Sequence, residues 1–332
     1  MKLTVGLGSV DEYIRFSEAG ADEFFCGYVP YSWTQKYDTM MPLNRREVLC
    51  SNVQLGAFSE LEILSSMIRD YQRPVHLTFN SLFYLPEQYP EIAKIMKACM
   101  CLGFQSYIIA DPALILYLRE HNIDCEIHLS GETGEVNSRM VNFFQQFSLK
   151  RVIFHRKNSF DDMKAVIDAE KFHGDLRTRT EFEAFILNEM CQFTGAFCNS
   201  FHCDELGHLC RVPYWLEPLK ESCTDSSFRQ LRPSVPAASP QTDVPNDSDL
   251  PEGYLCGATG CGLCALYRLR KIGITHLKLV GRGNYTDFME QDIRMLRQAL
   301  ALLEQSTSEK DFQKNMREQL FPYGCSSHCY YL

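Results

Sequence analysis

No stretch of this 332-residue chain approaches eighteen uncharged apolar residues, so the sequence offers no membrane-spanning helix. The opening MKLTVGLGSVDEYIRF has one early Lys, no long apolar run and no small-residue cleavage site. It reads as the first strand and helix of a cytoplasmic domain rather than as a secretory leader. Surplus positive charge is missing as well. With 33 Lys and Arg against 42 Asp and Glu, the formal net charge is −9, which weighs against a general, nonspecific nucleic-acid binder and leaves room for a local basic patch. Signatures of hydrolysis are absent too: there is no G-x-S-x-G elbow, no H-E-x-x-H helix and no Cys/His pair with a recognisable local pattern. Bond hydrolysis therefore ranks below redox or transfer chemistry. No short internal repeat is present.

What the chain has in excess is cysteine. Its 15 Cys are an odd number, which excludes a fully paired disulfide framework. Cys191, Cys198, Cys203 and Cys210 fall within one short stretch and are followed by Cys256, Cys261 and Cys264. In a chain without signs of secretion, thiolates this dense bind a metal or an iron–sulfur cluster more often than they form disulfides. Soft thiolates select Fe–S clusters or zinc, and zinc is the alternative here. Cys256-x4-Cys261-x2-Cys264 alone has the spacing of a plant-type [2Fe–2S] centre. A different ligand set, or a second site drawing on His202, Cys203, Cys325 or Cys329, stays open.

Short β-rich apolar runs alternate with amphipathic stretches, the rhythm of βαβ units and a parallel sheet. Strands are expected at Leu3–Leu7, Glu23–Tyr28, Val75–Asn80, Ser106–Asp111, Glu126–Ser130, Arg151–Arg156, Glu181–Leu187 and His276–Val280. Helices are expected between them, with Ser9 and Ser159 as N-caps, Gly20 as a stop and Pro112 at a first helical position. Further helical patterns cover Arg45–Val53 and Ser59–Tyr71, and the aromatic stretch YVPYSWTQKYDTMMP suits a pocket wall. The pattern predicts an α/β fold, a (β/α)8 TIM-barrel-like domain with a cysteine-rich insertion; a doubly wound open sheet is second. Residues 1–222 make the main part of the barrel, 223–253 a flexible insertion poor in apolar residues, 254–307 the last barrel unit and 308–332 a C-terminal tail.

In such barrels chemistry lies at the C-terminal strand ends. Those ends offer Tyr28, Asn80, His128, His155, Arg156 and Arg282 as candidate substrate contacts, while Asp111 before Pro112 reads first as a helix cap. Gly281-Arg282-Gly283 closes the last strand, where barrels frequently bind phosphate, so an anionic ligand is expected.

With strands and cysteines in place, the sequence resembles the U-32 peptidase (collagenase-like protease) family over most of its length. The resemblance rests on SEAGADEFFCG, VHLTFN, YIIADP, IHLS and HRKNS, on the E-x-F…C-x6-C-N-S block from Glu183 to Ser200, on Cys210-Arg211, and on GLCALYRLRKIGITHLKLVGRG. It implies a barrel carrying a [4Fe–4S] cluster on Cys191, Cys198, Cys210 and Cys264. It also implies oxygen-independent hydroxylation of RNA nucleotides or ubiquinone precursors, with peptidase activity or a non-catalytic, cluster-carrying partner role as alternatives. A homologous protein partner is compatible with the last. The chain departs from the family where His-Gly precedes the first cysteine, having Leu187-Asn188, and carries Lys157 for the Glu of the family's "REL" segment.

Overall fold

The structure, a computed structural model, describes residues 1–38, 41–45, 53–134, 136–171, 180–191, 198 and 254–331. Eight parallel strands close into a barrel in chain order. They are β1 (Lys2–Gly6), β2 (Glu23–Gly27), β3 (Val75–Phe79), β4 (Ser106–Ile109), β5 (Glu126–Leu129), β6 (Leu149–Phe154), β7 (Glu181–Leu187) and β8 (His276–Leu279). Closure is made by β1 on β8, where Leu3 pairs with Leu277 and Val5 with Leu279. Around them run α1 (Glu12–Ala19), α2 (Tyr31–Tyr37), α3 (Phe58–Tyr71), α4 (Tyr89–Cys101), α5 (Pro112–Glu120), α6 (Ser138–Gln145), α7 (Phe160–Lys171), α8 (Leu266–Ile272), α9 (Thr286–Gln305) and α10 (Glu309–Leu320).

Local chemistry explains where these elements start and stop. Gly20 ends α1 in the left-handed region at φ 118°, a conformation open to glycine at little cost. Asp111 caps α5, its carboxylate accepting from Ala113 N at 2.9 Å, and Ser159 Oγ accepts from Asp162 N at 3.1 Å. The start of α1 differs from expectation. Ser9 does not cap it; instead the Glu12 carboxylate folds back to accept from Gly8 N at 2.7 Å. The aromatic stretch after β2 contains α2, and the segment expected as a tail contains α10, which buries Phe312 and Met316. The expected helix at Arg45–Val53 lies largely, and the 223–253 insertion wholly, outside the described residues.

The two faces of the strands differ in kind. Outward residues such as Phe24, Leu77, Tyr107, Phe154 and Leu277 join the main core under the helices. The barrel lumen is stratified. Toward the N-terminal end lies a buried charged layer: Arg151 donates to Glu23 at 2.7 Å, to Glu183 at 2.8 Å and to Glu181 at 2.7 Å. His76 and His276 flank Glu23. Above it lies an apolar layer of Phe25, Ile108, Ile153 and Phe185. Barrel lumens are usually packed with branched apolar side chains. Here alternate strand positions are polar, and the paired charges inside must satisfy one another, because an unpaired buried charge costs several kcal/mol. Among the described residues no helix is long and apolar enough to cross a membrane.

Candidate functional site

The apolar layer forms the floor of a cavity of about 90 Å³ at the C-terminal mouth. Four cations reach it from different elements: Arg45, Arg156, Lys278 and Arg282, against the carboxylates of Glu132 and Glu189. Each is held by a specific contact. Lys278 stands 3.7 Å from the centre of the Phe25 ring and 2.8 Å from Glu183 Oε1; burial pushes its pKa down, and Glu183 opposes that. Arg45 lies 3.5 Å from Glu132 and donates to the Cys198 carbonyl at 2.7 Å. Asn80 Oδ1 accepts from Arg45 N at 3.2 Å and so fixes the loop that carries this arginine.

Arg282 crosses the mouth and donates to two neutral oxygens, Gln54 Oε1 at 2.9 Å and Thr78 Oγ1 at 3.2 Å. Glycines make room for it. A Cβ on Gly27 would stand 1.5 Å from Gln54 Oε1, and one on Gly6 would stand 2.9 Å from Arg282 Cγ. Arg156 lies over Phe185, its guanidinium carbon 3.9 Å from the ring centre. Burial opposes its charge, but Tyr330, Cys191 and Glu189 more than offset that and raise its pKa. Its Nε is buried without a hydrogen-bond partner among the described residues. Cations held over aromatic faces at a partly buried mouth are poised for an anion, since Coulomb attraction there exceeds its value in bulk water.

Of the six contacts expected from sequence, the structure brings Asn80, Arg156 and Arg282 together at the mouth. Tyr28 turns outward, bridging to Leu55 with its ring 6.4 Å from Phe58. His128 sits in the charged layer below, its ring centre 4.4 Å from that of His76 with the planes tilted, where burial and its neighbours His76 and Arg151 hold its pKa well below the usual range. His155 is buried behind the rim. Its Nδ1 accepts from Lys157 N at 3.2 Å, and its pKa is pushed down to about 3 by burial and by Arg156, Lys157 and Arg45. Asp111 is engaged as a cap and by Tyr89 at 2.9 Å. Sequence reading missed Arg45 and Lys278. A lysine inside a strand carries no signal until the pleat shows which face it occupies.

A hydrogen-bonded Ser106–His76–Glu23 chain, 2.5 Å and 3.1 Å, lies at the opposite end of the barrel. Glu23 there is already engaged by Lys2 and Arg151, so the chain belongs to the buried charged layer rather than to a hydrolytic site.

The thiols expected to hold a [4Fe–4S] cluster fit that group in part. Cys191 is close enough to Arg156 to bias its charge, and Cys198 is buried beside Arg45, so two soft donors flank the mouth. Cys210 lies outside the described residues. Cys264 opens into a separate cavity shared with Cys261, Cys325 and Cys329. Among the described residues no three His, Cys, Asp or Glu side chains are already drawn together to hold a metal ion. Asn188, which stands in place of the family's His-Gly, is left-handed at φ 67° and donates to Asp292 at 2.7 Å; Lys157 is exposed.

Fold and site together define a (β/α)8 barrel with a cationic, thiol-flanked mouth at its C-terminal face. The chain belongs to Peptidase family U32, whose model matches residues 8–331. It is 22% identical over 258 residues to the tRNA hydroxylation protein P of Escherichia coli (strain K12), covering 68% of this chain and 54% of that protein. The Haemophilus influenzae protein of the same description is 39% identical over 91 residues, 27% of this chain and 18% of that protein. The chain thus spans about half the length of the E. coli relative. Among solved structures, the U32 peptidase Mk0906 is similar at a TM-score of 0.39 and 14% identity, over 56% of this chain and 69% of that one. A dihydrodipicolinate synthase from Bacillus clausii reaches a TM-score of 0.49 at 8% identity, over 97% and 79%.

Proposed function

We propose that this chain takes part in the oxygen-independent hydroxylation of an RNA nucleotide and that the barrel mouth receives an anionic part of that nucleotide. The observation that carries the reading is the convergence of Arg45, Arg156, Lys278 and Arg282 over Phe25 and Phe185, in a chain whose overall charge is −9. Cationic side chains gathered this way bind a phosphate with directed N–H groups, and arginine does so through two parallel bonds. The described cavity is smaller than the ~300–1,000 Å³ of a pocket that encloses a whole ligand. It matches a phosphate or a base edge, so the rest of an RNA would lie across the rim. The similarity to the tRNA hydroxylation proteins of E. coli and H. influenzae supports RNA as the substrate class.

Replacing C–H by C–OH without O2 needs an oxygen donor and removes two electrons from the substrate; with water as the donor two protons leave with them, so an external two-electron acceptor is also required. The [4Fe–4S] cluster implied by the family belongs to this proposal, on Cys191, Cys198, Cys210 and Cys264. When bound it would supply electron-transfer chemistry beside the mouth. The chain's own residues bind and orient: Arg282 and Arg156 hold charge, Asn80 fixes Arg45, and the aromatic floor excludes water. The test is a comparison of modified tRNA nucleosides by mass spectrometry in strains with and without the gene. A hydroxylated nucleoside absent only from the deletion strain is expected; identical profiles would remove RNA as the substrate.

A further inference from the structure

Three aromatic side chains that the fold leaves open stand on the face that carries the mouth. Tyr31, Phe83 and Tyr285 are 72%, 68% and 78% exposed, and only Tyr323 among the described aromatic residues is more open. An aromatic ring stabilises a fold by being buried, so rings this exposed contribute little to stability. Each follows the C-terminal end of a strand: Tyr31 opens α2 just after β2, Phe83 lies between β3 and α4, and Tyr285 lies between β8 and α9. Strands β8, β1, β2 and β3 are successive neighbours in the barrel, so the three rings occupy one arc of the rim. Two of them continue the mouth directly. Phe83 comes three residues after Asn80 and Tyr285 three after Arg282, and both Asn80 and Arg282 line the mouth.

The chain beside each ring is pinned while the ring itself faces water. Next to Phe83, Tyr84 N donates to Asp111 Oδ2 at 3.2 Å and Tyr84 Oη to Leu43 O at 2.7 Å. Near Tyr31, Trp33 is fully buried and its Nε1 donates to Met41 O at 3.2 Å. Before Tyr285, Asn284 N closes a turn onto Gly281 O at 2.9 Å. Phe288 meets the Tyr285 ring edge-on at 5.4 Å and stacks on Tyr254 at 4.3 Å. A ring on a fixed loop offers its face to a ligand at a lower ordering cost than a ring on a mobile one. Exposed neighbours such as Ser32, Thr34 and Asp287 are polar, so the rings are separate pads rather than the continuous apolar patch that a docked protein covers. Spaced pads beside a cationic hollow fit an unpaired nucleic-acid strand, whose bases stack on aromatic faces while its phosphates seek the cations. With a net charge of −9, the chain has little surplus charge to hold flanking phosphates, and stacking supplies that hold instead.

We propose that Tyr31, Phe83 and Tyr285 are stacking pads for unpaired RNA bases that flank the nucleotide seated in the mouth. The inference rests on RNA as the proposed substrate and goes further, because it names what the rim reads: an unpaired strand and not a duplex. Paired bases keep their faces inside the helix and present phosphates and 2′-hydroxyls outward, which open rings do not recognise. Every base has a π face, so the arc adds affinity without fixing sequence.

The test is a fluorescence-anisotropy titration of the full chain, purified without oxygen, with a mixed-sequence single-stranded RNA and with the same RNA annealed to its complement. The wild type should bind the single strand and bind the duplex markedly more weakly. Tyr31→Ala, Phe83→Ala and Tyr285→Ala should each weaken single-strand binding about 5- to 100-fold, with unfolding midpoints unchanged because the rings are exposed. Tyr31→Phe, Phe83→Tyr and Tyr285→Phe should bind as the wild type does, whereas Tyr31→Leu, Phe83→Leu and Tyr285→Leu should not. The salt dependence should stay that of the wild type in every ring variant, since no phosphate contact is removed. Single-strand binding that is unchanged in all three Ala variants, or fully kept by the Leu variants, overturns the stacking role and leaves RNA as the substrate. So does a loss of affinity accompanied by a shallower salt dependence, which would place the damage in the cationic mouth. Ala variants that keep RNA binding but form a smaller particle by light scattering would assign the rings to a contact between copies of the chain and overturn the proposal. A wild type that binds neither RNA overturns both this inference and the RNA reading beneath it.

Discussion

Arg282 and Arg156 reach the mouth by different routes, and substitutions should separate their roles. Arg282→Lys keeps the charge but loses the planar fork that engages two oxygens. A charge-assisted hydrogen bond contributes roughly 1.5–3 kcal/mol, so binding of a tRNA substrate should weaken about 10- to 100-fold, measured by equilibrium titration, with the unfolding midpoint nearly unchanged. His155 makes a different prediction. Its pKa is pushed down to about 3 in the folded protein, against about 6.5 unfolded, so below pH 6.5 the unfolded chain binds the proton more readily. The stability this residue supports is present above pH 6.5 and is lost as pH falls toward 3. Urea midpoints should drop between pH 6.5 and 4.5, before the carboxylates contribute, and His155→Asn should flatten part of that drop. Residues at strand ends were legible in sequence because a polar side chain closing an apolar run stands out. Arg45 and Lys278 were not, since one sits in a loop and the other inside a strand whose inward face only the closed barrel reveals.

At the scale of elements, the strands were readable and their lumen was not. Each strand alternates an outward apolar residue with an inward one, and the inward set mixes Glu23, His76, Arg151, Glu183 and Lys278 with Phe25 and Phe185. Sequence alone does not show that residues so far apart in the chain neutralise one another. Arg151→Met should take from Glu23, Glu181 and Glu183 the one cation they share and cost about 3–5 kcal/mol, read from urea unfolding. Helix α10 was hidden for another reason. Its sequence, EKDFQKNMREQL, is mostly polar and binds the fold through Phe312 and Met316. Phe312→Ala should cost about 3–5 kcal/mol as for other buried aromatics, in contrast to substitutions on the exposed face of the same helix. Asn188 shows how a departure from a family pattern can be structural. It ends β7 by donating to Asp292, a partner located a hundred residues away and invisible to a motif.

For the whole molecule, regular βα alternation of eight strands made a barrel the first reading and an open sheet the second, and the closure of the strands in chain order decides for the barrel. Chemistry was less so, because a barrel specifies where a site lies and leaves its reaction to the loops. The central claim is that the cationic mouth is where an RNA nucleotide is bound for hydroxylation. The most direct measurement is mass spectrometry of tRNA nucleosides from a deletion strain carrying the wild-type gene, an Arg156→Gln variant or an Arg282→Lys variant, with each protein's folded level checked. The account predicts that the wild type restores a hydroxylated nucleoside and that both variants restore markedly less at equal protein level; full restoration by both variants would contradict it.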